Sequence, residues 1–233
     1  MNWSPILSYG VGLIATDGNL SGDRRHIEFT SKDLELVEHV RDCFGPRNRI
    51  CTKGRGDGVR RYFRIQIGSV HLYQWLCSLG LTARKSLTLG PLDIPDEFFA
   101  DFLRGHLDGD GNITSYYDSV FPNALRLYVR FHSASRLHLD WLQTTISRLW
   151  SLKGYQTAVS RAFRLNYAKA ASIELLRHLY NAPDIPLSAS ETPDCRTISD
   201  NTCGSGGTGR RDGLRSRWPQ GHGGSTPPFR TCF

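Results

Sequence analysis

The sequence predicts an α+β fold made of two copies of one αββαββα unit, and three observations support that class. Residues 10–18, Gly-Val-Gly-Leu-Ile-Ala-Thr-Asp-Gly, and residues 103–111, Leu-Arg-Gly-His-Leu-Asp-Gly-Asp-Gly, both read as apolar helices that stop at Asp-Gly. Asp17 and Asp110 stand at the same place in the two stretches, 93 positions apart. Alternating segments and helical stripes then follow each stretch in the same order, which is the mark of a duplicated unit.

In chain order, the first Asp-Gly leads to Asn19 and Leu20 and then to an alternating strand over 26–30. The second leads to Asn112 and Ile113 and to a strand over 125–131. Alternation of this kind gives a strand one apolar face and one polar face. A helix is predicted over 31–44, with Leu34, Val37 and Val40 on one stripe and Thr30 or Ser31 as its cap. Its counterpart over 135–150 carries Leu139, Leu142, Ile146 and Leu149. Each copy next offers a second strand pair, 49–52 with 62–67 and 155–159 with 162–167. In these pairs Phe63-Arg64-Ile65 and Phe163-Arg164-Leu165 match almost letter for letter, and the first pair is joined by the glycine-rich 54–58. A last helix follows in each copy, over 69–79 and 169–179, and the exits 92–95 and 183–186 agree. The expected units are therefore 1–95 and 96–186. Residues 187–233 hold 8 of the 23 glycines and 4 of the 11 prolines without apolar periodicity, so they are expected to form a disordered tail.

Composition narrows the class of partner. The formal charge of +7 favours a polyanion, and 39% hydrophobic residues allow a sizeable core. Cys43, Cys51, Cys77, Cys195, Cys203 and Cys232 form no C-x-x-C pair and no zinc spacing with histidine, so they read as reduced thiols of an intracellular protein. No apolar run approaches the roughly 18 residues of a membrane span. The opening Met1-Asn-Trp-Ser-Pro lacks the basic-then-apolar form of a signal peptide. A soluble, intracellular chain that is not secreted and has no membrane partner is expected.

The two helix ends carry the chemistry. A helix C-terminus bears partial negative charge, so an aspartate there is electrostatically disfavoured. Glycine directly after it is the common way to leave a helix. One such end would be an ordinary cap. Two side by side make a strongly negative pocket, in which one carboxylate tends to hold a proton unless a cation is bound. A hard divalent ion such as Mg²⁺ suits oxygen ligands of this kind, and bound there it can activate water and stabilise the leaving oxygen of a phosphodiester. Whether main-chain oxygen near position 16 adds a ligand is left open. Gly12, Ala15, Thr16, Gly105 and Gly109 are small enough to let the two helices approach closely.

These residues resemble the LAGLIDADG homing endonucleases in their single-chain, two-motif form, over about residues 5–186. The resemblance implies a pseudo-symmetric pair of αββαββα repeats, with antiparallel sheets forming a DNA-binding saddle and the motif helices forming the seam. It implies a monomer that cuts both strands of a long DNA target, encoded by an intron or similar element. Asp17 and Asp110 match the family's metal-binding acids. Ala15 departs from the motif where Asp108 stands in the second copy. The family also places a basic residue beyond the last helix of a repeat, and Lys85 resembles it; its charge would stabilise the phosphate's transition state or organise the hydrolytic water. The second copy has Asn181-Ala-Pro-Asp184 there and no lysine. An RNA-binding maturase acting on its host intron, and a DNA-binding protein that has lost cleavage, are the alternatives on this scaffold.

Basic residues would read the nucleic acid. Arg47, Arg49, Lys53, Arg55, Arg60, Arg61 and Arg64 fall within one predicted hairpin against the single acid Asp57. A two-stranded ribbon fits the major groove, where arginine reads guanine and polar residues such as Glu28 and Gln66 reach other base edges. The second copy supplies Arg126, Arg130, Arg161 and Arg164, with Tyr128 and Asn166 between them.

Overall fold

A computed structural model describes residues 1–45, 47–54, 61–83, 85–121 and 123–180. The predicted tail, the 183–186 exit, most of the 54–58 turn, and Arg55 and Arg60 lie outside these residues. The first half runs α1 (Pro5–Asp17), β1 (Gly18–Leu20), β2 (His26–Ser31), α2 (Leu34–Phe44), β3 (Cys51–Gly54), β4 (Arg61–Gly68) and α3 (Val70–Ser78). The second runs α4 (Phe99–Asp110), β5 (Asn112–Tyr117), β6 (Leu125–Ser133), α5 (Arg136–Trp150), β7 (Tyr155–Val159), β8 (Ala162–Ala168) and α6 (Lys169–Tyr180). The two four-stranded antiparallel sheets have the same order, β1-β2-β4-β3 and β5-β6-β8-β7. The chain is thus α+β with the duplicated order that the sequence predicts.

Local boundaries differ where side chains compete for the backbone. The helix expected from residue 31 starts at Leu34, because Thr30 and Ser31 stay paired in β2 and Asp33 is the cap, accepting from Glu35 N at 3.0 Å. Ser135 precedes α5 but does not cap it; its hydroxyl donates instead to Leu89 O at 2.5 Å. Strand β3 begins at Cys51, so Arg49 lies in the preceding loop. Ser69 caps α3 through Leu72 N, and Gly80 ends it with φ +105°, a left-handed value that favours glycine.

The seam lies between α1 and α4. Helix α1 is buried on all sides from Leu7 to Ala15, as expected of a helix that is apolar all round. A Cβ on Gly105 would overlap the Tyr9 carbonyl, and one on Gly12 would overlap Phe102 O and lie 2.8 Å from His106 N. Glycine at these positions lets one helix backbone rest on the other. Both helices end in glycines that are extended, Gly18 (φ −75°) and Gly111 (φ −84°). Here glycine is required by space, since a Cβ would lie 2.6 Å from Ile14 O or 2.5 Å from Leu107 O as the chain turns straight into a strand.

The apolar strand faces, Ile27 and Phe29 with Ile65 and Ile67 in one half and Val129 and Phe131 with Leu165 and Tyr167 in the other, join the same core as the seam. Helices α2 and α3 pack on the first sheet, and α5 and α6 on the second. Among the described residues, the polar strand faces, with Glu28 and Gln66 in one sheet and Arg126, Tyr128 and Arg130 in the other, stay partly or fully exposed.

Substitution at the seam should be costly. Gly105→Ala is expected to lower unfolding free energy by about 1–3 kcal/mol through overpacking, whereas Gly22→Ala, with open space around it, should stay within about 0.5 kcal/mol. Urea denaturation of the two variants separates the cases.

Candidate functional site

The close packing brings the two aspartate-bearing ends together. A Cβ on Gly109 would overlap Thr16 Oγ1, so the residues that follow, Asp110 and Asp17, leave adjoining helix ends. Both aspartates are exposed. Lys85 lies in a short 3-10 turn (Lys85–Leu87) of the segment between the two halves, and it is buried. Its ammonium donates to Gly18 O at 2.5 Å and to Thr16 O at 3.2 Å, so it occupies the carbonyl end of α1. Burial pushes Lys85 down to about 8, against the opposing pull of Asp17 and Asp110. All three predicted residues therefore meet at one place.

The aim of Lys85 depends on the second half of the chain. Leu89 and Gly90 are tied to α5 by Ser135 Oγ and by His138 Nδ1, which reaches Gly90 O at 2.9 Å. Behind the lysine, His106 stacks on His138 with ring centroids 5.2 Å apart. Burial holds both imidazoles neutral, with His138 lowered to about 4.

The motif position that differs between copies has a structural use. Asp108 accepts from Tyr9 OH at 2.9 Å across the seam, and Arg104 lies over the Tyr9 ring at 5.1 Å. Ala15, at the matching place in α1, is buried.

Among the described residues no group of three or more His, Cys, Asp and Glu could hold a metal. Two carboxylates at helix ends suit a hard cation that keeps waters and takes substrate oxygens, and they do not suit a closed protein cage.

The open sheet faces hold most of the predicted contact residues. In the first sheet Glu28 pairs with Gln66 in register, and Arg64 lies 3.5 Å from Glu28. Lys53 is exposed opposite Tyr62, and Arg47 and Arg49 are exposed in the loop before β3. Arg61 begins β4 opposite Gly54. In the second sheet Arg126 pairs with Asp118 at 2.8 Å, and Tyr128 stacks on Tyr116 while Arg130 lies 4.7 Å over Tyr128. Arg161 is exposed in the β7–β8 turn with φ 60°. Asn166 differs from expectation: it is buried, and its amide nitrogen donates to Tyr155 O, Thr157 Oγ1 and Arg164 O, so it braces the sheet. His132 was absent from the sequence-derived candidates, although it continues the polar alternation of Arg126, Tyr128 and Arg130.

The Lys85 environment has a pH signature. Its folded value near 8 is below the ordinary 10.5, so the ionised form destabilises the fold below about pH 8 and that cost fades as pH rises from 8 to 10.5. Relative to Lys85→Met, the protein's denaturant midpoint should climb across that window; parallel curves for the two proteins would contradict the shifted titration.

No family model and no curated protein matches the sequence. Solved structures do match the fold. The homing endonuclease I-WcaI bound to its DNA recognition sequence aligns with a TM-score of 0.56 at 14% identity, over 80% of this chain and 85% of that one. I-DmoI in complex with DNA and Mn gives 0.51 at 15% identity, over 79% of this chain and 100% of that one. Full-length DUF199/WhiA from Thermatoga maritima gives 0.53 at 14% identity over 77% of this chain, which spans 57% of the length of WhiA. At these identities the likeness is one of fold alone. The chain has the LAGLIDADG homing endonuclease fold.

Proposed function

We propose that this chain is a site-specific, divalent-metal-dependent DNA endonuclease, built as a monomer from the two repeats 1–95 and 96–186 and encoded by a mobile intron or similar element. The observation that carries the reading is the meeting of Asp17, Asp110 and buried Lys85 at the paired helix ends. A divalent cation held there, Mg²⁺ in the first instance, would supply Lewis acidity at the scissile phosphate. Asp17 and Asp110 would hold it, with phosphate oxygens and water completing the shell. Lys85, aimed by its two carbonyl bonds, would set its charge beside the phosphate as negative charge develops. The open faces would place Arg64, Lys53, Arg126, Arg130 and Arg164 against the duplex.

Both DNA-bound endonucleases in the comparison support this reading. A second reading on the same fold is a DNA-binding protein that does not cut, since a LAGLIDADG domain also forms the N-terminal part of WhiA, a larger protein of which this chain spans 57%.

Purified protein with Mg²⁺ should make one double-strand cut in DNA carrying the uninterrupted insertion site. Asp17→Asn and Asp110→Asn should each abolish cutting while retaining gel-shift affinity, and unaltered cutting by the double variant would remove the metal assignment. Binding without any cutting by the wild-type chain would select the second reading. Arg49→Ala should weaken binding to all sequences alike and reduce the salt slope of log K by roughly one.

A further inference from the structure

We propose that His132 is a positioning residue that ties the DNA-facing Arg164 to the helix end bearing Asp110. Its consequence for cutting rests on the nuclease reading above. Its geometry does not.

The last carbonyls of a helix lack partners within the helix and must be satisfied from outside. At the end of α1, Lys85 does this through Thr16 O and Gly18 O. At the end of α4, the Asp110 carbonyl meets His132 Nδ1 at 3.0 Å. The other ring nitrogen, Nε2, meets Arg164 Nε at 3.0 Å. One imidazole therefore bridges the arginine on the open sheet face and the main chain of the predicted metal ligand.

Donor chemistry fixes the ring. A carbonyl oxygen can only accept, so Nδ1 carries the proton. An arginine Nε can only donate, so Nε2 is bare. A single neutral tautomer satisfies both neighbours, and it orients the ring about one axis. Arg164 spends one N–H on this bond and keeps its terminal guanidinium nitrogens for phosphate or base edges. A duplex that seats Arg164 would thereby also seat the α4 end.

The first repeat is built otherwise. In register, Thr30 stands opposite Arg64 as His132 stands opposite Arg164. Thr30 has no ring to span the distance, and its hydroxyl turns to Glu28 Oε1 at 3.5 Å. One helix end is thus held by a lysine from the inter-repeat segment, and the other by a histidine coupled to the DNA face. The two strands of a target should depend on different residues.

The test uses full-length protein and a duplex with the two strands labelled separately, together with imidazole nitrogen NMR. With protein saturating the duplex, His132→Ala and Arg164→Ala should each slow cutting of one and the same strand by about tenfold relative to the other and accumulate nicked product. The double variant should be no slower than either single one, as expected for a shared relay. Equal slowing of both strands, or multiplicative losses in the double variant, would overturn the relay. The ring itself gives a readout independent of activity. His132 should appear in wild-type protein as the neutral Nδ1–H tautomer and become a tautomer mixture in Arg164→Ala, whereas an Nε2–H ring in wild type would overturn the assignment. Should the wild-type chain cut no DNA, the nuclease reading fails while the NMR result still decides the relay.

Discussion

Two helices lie closer together here than ordinary side chains permit, and the remaining architecture follows from that approach. Gly12 sits on the Phe102 and His106 backbone, Gly105 on the Tyr9 carbonyl, and Gly109 on Thr16. A glycine within a helix costs about 1 kcal/mol relative to alanine. Both helices are rich in buried apolar side chains, Val11, Leu13 and Ile14 in α1 and Phe102, Leu103 and Leu107 in α4, and burial of one such side chain, about 1.5–3 kcal/mol, exceeds one glycine penalty. The close approach sets the two helix ends side by side. Each helix then turns sharply into a strand at Gly18 or Gly111, where a Cβ would meet that helix's own Ile14 or Leu107, and the turn fixes where each sheet begins.

That geometry creates an electrostatic conflict at the helix ends. Each C-terminus contributes about half a negative charge, and Asp17 and Asp110 add two carboxylates. Lys85 lies among them, yet its proton affinity falls, because losing water outweighs the attraction of two carboxylates. Lys85 brings one positive charge to two helix ends and two carboxylates, and on the proposed reading a divalent cation would supply the remainder. The linker that carries Lys85 is anchored by Ser135 and His138 of the second half, while the carbonyls it caps belong to the first. The two halves complete one another through the site as well as through the core.

Much of this was legible in the sequence. Repetition of the Asp-Gly helix ends, of the alternating strands and of the Phe-Arg-aliphatic triplet specified the element order, because periodicity reports which face is buried. The same logic located Gly12, Gly105 and Gly109 as places of close approach. Boundaries were less legible where polar side chains had a choice. Thr30 and Ser31 were as good a cap on paper as Asp33, and only strand pairing with β4 removes them from the helix. Asn166 looked like a base reader, since its position alternates with apolar residues; the amide is consumed by partners on β7 and its own strand, which no local pattern reveals. His132 escaped notice for the opposite reason. Its meaning lies in two partners, 22 and 32 residues away along the chain.

The open faces show how a basic surface can be ordered by its own neighbours. Arg64 rests near Glu28, Arg126 on Asp118, Arg130 on Thr114 and the Tyr128 ring, and Arg164 on His132. Exposed ion pairs contribute only about 0–1 kcal/mol, so exchanging a surface carboxylate for a phosphate costs little. Ordering a free arginine at an interface would cost about 0.5–1.5 kcal/mol each. Neighbours that hold these side chains in place move part of that entropic loss into folding, and in the proposed complex the acids among them would be exchanged for phosphate. Arg164 differs from Arg64 and Arg126 in resting on an imidazole nitrogen instead of a carboxylate, and that ring leads directly to the helix end of Asp110.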